Sequence, residues 1–597
     1  MKTIQTLGLS LFIIALAIFT LMLGLDHYRL STDQIAIDNE YHREAFLHAA
    51  RDLSVLDKEY NSSFAYSQAF HSALEAAQQT LNTQAEAGIP EGVGEWDFKL
   101  GDWKFKEYTL ASIQQSSTGP VTDHPLLFWW LTVGLGIMGG LLFILPKFAK
   151  LPGIKNDHIY HSALTRGLKL NWRAIFLAGT IIGIIVYGIF YAGHWLWPLI
   201  TTIVMGLIYW LVFYRENSKE RTPARSAAPG MNSAMLGIIA GVYLIGFYVL
   251  LYWAPEHITP WMRMSDPLSR SLNGGPASQW FVYGMLYTVI VLVMGVRMLA
   301  KYRHNRYQII RTFSVMFFQT AIAFILPEIL VRLNQPYFDF KNIWPLNYAF
   351  FFDYNLDSLI QNGTLGIFML VWGILLIIVA VPLFTYFYGK RWYCSWVCGC
   401  GGLAETMGDP FRQLSDKSLR AWKFERWIIH GVLVFAVVMT IAVLYTYFTG
   451  NYQVLFFSSD SIRSWYGFFV GSAFAGVVGT GFYPLMGNRM WCRYGCPLSA
   501  YLGLVQRFKS RFRITTNGGQ CISCGNCSTY CEMGIDVRHY AQRGQDVVRA
   551  SCVGCGVCAA VCPRGVLRLE NSSLDVDMRA EELRTVRISG DKVYIDM

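Results

Sequence analysis

Apolar runs of more than about 18 residues, each long enough to cross a bilayer core of about 30 Å as a helix, recur between positions 4 and 486. Backbone polar groups inside lipid must pair within their own segment, so such a chain can fold only as a helical membrane bundle. Only 15% of its 597 residues are charged and 53% are hydrophobic, whereas a soluble domain carries about 25% charged residues. A disordered, collagenous, disulfide-stapled or plain soluble chain is excluded.

Ten spans are expected, near 4–24, 126–146, 174–193, 195–214, 233–253, 280–300, 312–331, 364–388, 427–448 and 465–486. The first follows Lys2 and lacks a small-x-small cleavage site, which marks a retained signal anchor over 1–24. Segments 147–173, 215–230, 297–311 and 389–426 carry 22 Lys and Arg, against 5 in the opposite loops 194–198, 254–279, 332–363 and 449–464. Basic loops stay cytoplasmic, so both termini are expected there, in a bacterial cytoplasmic membrane. The same bias places a domain over 25–125 outside. That domain holds 16 Asp and Glu against 7 Lys and Arg. Phe46, Ala49, Leu53, Leu56 and Tyr60 form one helical stripe and Tyr66, Phe70, Ala73, Ala77 and Leu81 a second. With a break at Asn61-Ser62-Ser63, a helical hairpin is expected rather than a sheet.

All 13 cysteines lie at or beyond residue 394. Eight fall in two C-x2-C-x2-C-x3-C runs, which is ligand spacing rather than a disulfide framework. Thiolates kept for metal need a reducing compartment. Three cysteines at steps of three wrap one face of a cubane, and the fourth reaches the neighbouring cluster. Cys521, Cys524, Cys527 and Cys562 are therefore assigned to one [4Fe–4S] cluster, and Cys552, Cys555, Cys558 and Cys531 to the other. Gly525, Gly554 and Gly556 give the loops room. Structural zinc is the competing reading, but it favours paired C-x2-C motifs. Clusters would also supply the folding energy that a segment as short as 514–597 lacks.

Cys394, Cys398 and Cys400 follow the span 364–388, and Cys492 and Cys496 follow 465–486. On a helix, C-x3-C sets both sulfurs on one face. Cys394, Cys398, Cys492 and Cys496 are thus candidate redox or metal thiolates for a third centre, with Cys400 as a spare. A redox dithiol and a set of reduced, buried thiols are the alternatives.

The motifs CSWVCGC and CRYGCPLSA, followed by CEMGIDVR and CVGCGVCAAVCPRG, resemble those of the membrane polyferredoxins of the NapH, NosR and CcoG type. The resemblance covers roughly 364–570. It implies electron transfer at the cytoplasmic membrane, in respiration or copper-site maturation. Gly399 stands where that family usually has Pro and Cys400 is added, which leaves the ligand set of a third centre open. No flavin-attachment or c-type haem motif occurs. Gly134-x-Gly136-x2-Gly139 lies inside an apolar run and reads as helix packing. Glu328 and His430 lie within spans, where a hydrogen-bonded role outweighs a proton relay. His158 and His161 are a weak metal pair.

The expected fold is mainly α: a polytopic membrane bundle of about ten spans with a small α+β two-cluster ferredoxin-like domain at its C-terminus. The units are the anchor 1–24, the outer domain 25–125, the transmembrane domain 126–506 and the iron–sulfur domain and tail 507–597. The expected function is iron–sulfur electron transfer as one component of an oxidoreductase system. It would link a cytoplasmic donor or acceptor to a membrane quinone or an extracytoplasmic redox protein. Alternatives are a copper reductase or assembly factor and a redox-sensing regulator. Arg507 to Arg513 is a basic stretch for lipid headgroups; nucleic acid is not expected. No catalytic residue is assigned.

Overall fold

The computed structural model of the chain describes residues 2–87, 98–149, 231–454, 456–517, 520–571, 586–589 and 592–595. The expected spans 174–193 and 195–214, with His158 and His161, lie outside the described residues.

Among the described residues, six helices are long and apolar enough to cross a membrane: Lys2–Gly24, Pro125–Lys147, Gln279–Tyr302, Arg306–Arg332, Gly363–Tyr388 and Leu419–Thr449. Side-chain caps fix several of their starts. Ser278 accepts from the Phe281 N–H, Asn305 from Gln308 and Ser418 from Ala421. At most a third of each helix's most apolar stretch is buried within the protein. Ile378 and Val379 on the fifth helix, and Val434 and Ile441 on the sixth, point outward. Surfaces that apolar belong against lipid.

Two expected spans take a different form. The 233–253 run is one arm of a bent pair, Ile239–Trp253 and Pro255–Leu272, which meet at 112°. Pro255 cannot continue the first helix and begins the next. With that pair as one span the count among the described residues is seven. The 465–486 run is part of Ser459–Met486, in which a π-helical stretch Gly467–Val478 leads to a turn at Phe482. It is not among the six, because its glycines trade apolar area for close approach. A Cβ on Gly476 would stand 2.6 Å from the Tyr252 ring, and one on Gly481 2.6 Å from Ile245. The packing reading of the Gly134 motif agrees with the contacts. A Cβ on Gly139 would meet the Gly8 carbonyl and the Phe12 nitrogen at 2.7 Å, where Lys2–Leu21 crosses its partner.

The 25–125 segment holds helices Glu40–Asp52, Ser63–Ala87 and Asp102–Ser116. The second stripe is buried along its length, from Tyr66 to Leu81. The first is cut short. Phe46 and Ala49 are buried, but the helix ends at Asp52 and Leu53 is 49% exposed. Positive φ at Ser54 and Asp57 turns the chain into a strand, Glu59–Tyr60. That strand and Ser117–Thr118 flank His27–Arg29 in an antiparallel sheet, with Tyr28 opposite Tyr60 and Ser117. The expected hairpin is therefore a helical domain with a small sheet.

In the C-terminal region Arg513–Thr516 pairs antiparallel with Leu567–Glu570, Arg513 opposite Glu570. Short helices Asn526–Thr529, Val537–Gln542 and Val557–Ala560 fill the interval. This unit is seated on the bundle. Gln308 donates to the Cys555 carbonyl at 2.8 Å, Tyr307 to Gly554 at 2.8 Å, and Ser395 to Val553 at 2.8 Å.

Candidate metal centres

Each C-x2-C-x2-C run wraps a short loop that ends in a helical turn. Ser523 and Gly525 in the first run, and Gly554 and Gly556 in the second, hold positive φ. A Cβ at Gly554 would stand 2.6 Å from Arg391 Cβ, so the second loop needs glycine on two counts. The first cavity is walled by Cys521, Cys524, Cys527 and Cys562. The second is walled by Cys531, Cys552, Cys555 and Cys558. The crossed grouping drawn from the spacing is the grouping of the cavity walls. Apolar residues close both: Ile522, Val566 and Leu567 at the first, Ile514, Met533 and Val547 at the second. Burial pushes the Cys527 thiol up to about 12, with Cys524, Cys562 and Cys521 adding to the rise. Thiols so placed ionise only against a cation, which fits a metal cluster.

The C-x3-C pairs converge as well, though not on continuous helices. Cys394 ends the turn Arg391–Cys394, and Cys398 caps Gly399–Thr406. Cys492 lies in the π turn Trp491–Gly495, and Cys496 caps Pro497–Lys509. The Cys398 N–H donates to the Tyr393 carbonyl at 2.8 Å and the Cys496 N–H to Trp491 at 2.9 Å. Both pairs thus follow one plan, Gly-x-Arg-x2-Cys-x3-Cys, from Gly389 and again from Gly487, each glycine with positive φ. The four sulfurs belong to one buried core, with Cys400 packed against it. The Cys398 thiol is drawn down, first by a hydrogen bond from Cys400, then by the Gly401 N–H, Lys341 and Arg489.

Among the described residues, no three cysteine sulfurs lie within 4.8 Å of one another. Thiolates about 2.3 Å from a single tetrahedral ion would stand roughly 3.8 Å apart. The described cysteines are therefore not drawn together as a single tetrahedral ion would need.

Between the membrane-side cysteines and the second cavity lies a buried ionic network that the sequence did not disclose. Arg489 Nη2 reaches Glu405 at 2.6 Å and Glu532 at 2.9 Å, and its Nη1 lies 3.6 Å from Cys492 Sγ. Arg412 Nη1 pairs with Glu532 at 2.6 Å, and its other nitrogens pair with Asp409 at 2.9 Å and with Glu405. Arg311 adds 2.6 Å to Glu405. Glu405, Glu532 and Cys555 lie within ligand distance of one another, but three guanidiniums already neutralise the two carboxylates. They form a charge shell beside Cys555 rather than a further ion site. The available signal was the arginine three residues before the first cysteine of each C-x3-C pair. Arg412 entered the sequence reading only as topology. Glu328 accepts from Asn273 at 2.7 Å, and His430 shares a 2.5 Å hydrogen bond with the Arg426 carbonyl, in line with hydrogen-bonded roles.

The chain matches two family models: "4Fe-4S binding domain" over residues 370–418 and 466–515, and "4Fe-4S dicluster domain" over 520–567. The first match takes in both C-x3-C pairs and the second all eight ferredoxin cysteines. YccM of Escherichia coli (strain K12), provisionally named as an electron transport protein, is 27% identical over 159 residues, 25% of this chain and 43% of its own. The methylamine utilization ferredoxin-type protein MauN of Methylobacillus flagellatus is 27% identical over 167 residues, 26% of this chain and 52% of its own. NirI of Paracoccus denitrificans is 29% identical over 189 residues, 30% of this chain and 26% of its own. The chain thus spans about half the length, or less, of these relatives. No solved structure matches it.

Proposed function

We propose that the chain is an integral-membrane electron-transfer protein carrying two [4Fe–4S] clusters in residues 507–597 and a third at the membrane surface. The observation that carries this reading is the crossed pair of four-cysteine cavities. Held there, such clusters supply one-electron redox chemistry. The chain's own part is to hold eight thiolates in two apolar pockets, exclude water and fix their separation through the seating on Tyr307, Gln308 and Ser395. Cys394, Cys398, Cys492 and Cys496 would hold the third group, and the Arg489 guanidinium would offset its negative charge. Both termini and the iron–sulfur domain face the cytoplasm of a bacterial cell and 25–125 lies outside, on the strength of the basic-loop bias. A cytoplasmic partner would meet residues 521–562, and a quinone or outer redox protein the membrane side.

The test is Cys531→Ser in anaerobically purified protein. The reading expects the EPR signal of the site at Cys552, Cys555 and Cys558 to change while that of the Cys521 site persists. Loss at the Cys521 site alone would contradict the crossed assignment.

A further inference from the structure

Beside the C-x3-C cysteines the bundle holds a chamber of about 150 Å³. Cys400 and Trp491 form part of its wall, and six tyrosines, Tyr252, Tyr283, Tyr287, Tyr348, Tyr466 and Tyr483, line the rest. Tyr283 and Tyr287 stand on the span Gln279–Tyr302, and the glycines of Ser459–Met486 give the rings their room. Tyr287, Tyr466 and Tyr483 are buried and Tyr252 and Tyr348 half-buried, so the phenols bring polar groups to an otherwise apolar space. Phenol groups so placed usually find a hydrogen-bond partner. The chamber therefore calls for an occupant that is flat enough to lie among rings and carries oxygen acceptors.

A second space borders it. An apolar groove of about 640 Å³, walled by the first two spans and Gln279–Tyr302, shares Tyr283, Tyr287, Leu403 and Thr480 with the chamber. Leu9, Phe12, Leu16, Val293 and Met294 line it. The two neighbouring spaces have the two chemistries of one molecule, a ring with carbonyl oxygens and a long hydrocarbon tail.

We infer that the chamber binds the ring of an isoprenoid quinone beside Cys400, with its tail in the adjoining groove. This rests on the proposed electron-transfer reading and commits its membrane-side partner to a quinone. The phenols donate to the ring oxygens, and the groove replaces lipid around the tail. Cys400, which had no place in the two four-thiolate sets or in the third, forms the wall between the ring and the membrane-side cysteines.

The experiment measures decylubiquinone binding to the detergent-solubilised full-length protein, with quinones in an organic extract of the preparation identified by mass spectrometry. Tyr287→Phe with Tyr483→Phe keeps both rings and should weaken binding by roughly tenfold or more, as expected for two lost hydrogen bonds. Ala475→Phe, which puts a ring into the chamber, should abolish binding, and Tyr445→Phe on the lipid-facing surface should leave it unchanged. Iron and sulfide are assayed on every variant. Full cluster content without quinone binding, or binding indifferent to the chamber variants, overturns the inference and leaves the electron-transfer reading standing. Absence of iron and sulfide from the wild-type protein overturns that reading instead. A phospholipid in place of quinone in the extract also overturns the inference.

Discussion

Arg489 and Glu532 meet at 2.9 Å, fully buried, and tie the second C-x3-C segment to the residue that follows Cys531. Ferredoxin runs usually carry proline at position 532, and glutamate there serves the contact with the bundle. Glu532 also accepts from Arg412 and Asn488. Removing one partner of a buried ion pair costs about 3–5 kcal/mol, because the other charge is stranded. Glu532→Ala should therefore lower the temperature at which iron is released on heating by several degrees. Glu532→Gln, which keeps the shape, should fall between the two.

Gly554→Ala tests the close approach of the second loop. It combines a positive φ with a Cβ 2.6 Å from Arg391, and left-handed backbone alone costs a non-glycine residue about 1–2 kcal/mol. The EPR signal of the Cys552 site should weaken or vanish while the Cys521 signal remains. An unchanged signal from the Cys552 site would show that the loop can move away from the bundle.

How much of this was legible in the sequence follows the range of the interactions. The crossed grouping of the cavity walls was legible, because it follows the spacing within each run. The buried stripe from Tyr66 to Leu81 was legible for the same reason. The end of the preceding helix was not, since positive φ at Ser54 and Asp57 is set by tertiary contacts and not by the stripe. Arg311, Glu405, Arg412, Arg489 and Glu532 meet only in the fold. Tyrosines on separate spans likewise come together only in the fold, where the glycines of Ser459–Met486 leave space between them.

The third centre is tested by Cys398→Ser combined with Cys496→Ser. About four irons per chain should be lost, with both ferredoxin signals intact. Cys400→Ser should keep its iron, because that thiol faces the chamber. Iron unchanged in the double variant would reduce the C-x3-C cysteines to packing residues.

Reporter fusions after Lys106 and after Met597 should report opposite compartments, as the 22-to-5 basic bias of the short loops requires. The same compartment for both would mean that the span count is wrong by an odd number.

Iron, acid-labile sulfide and zinc, measured together on anaerobically purified full-length protein and followed by an EPR redox titration, test the central claim most directly. With three four-iron centres the result should be about twelve iron and twelve sulfide per chain, eight of each from residues 521–562, and no stoichiometric zinc. A preparation with stoichiometric zinc and no sulfide would contradict it.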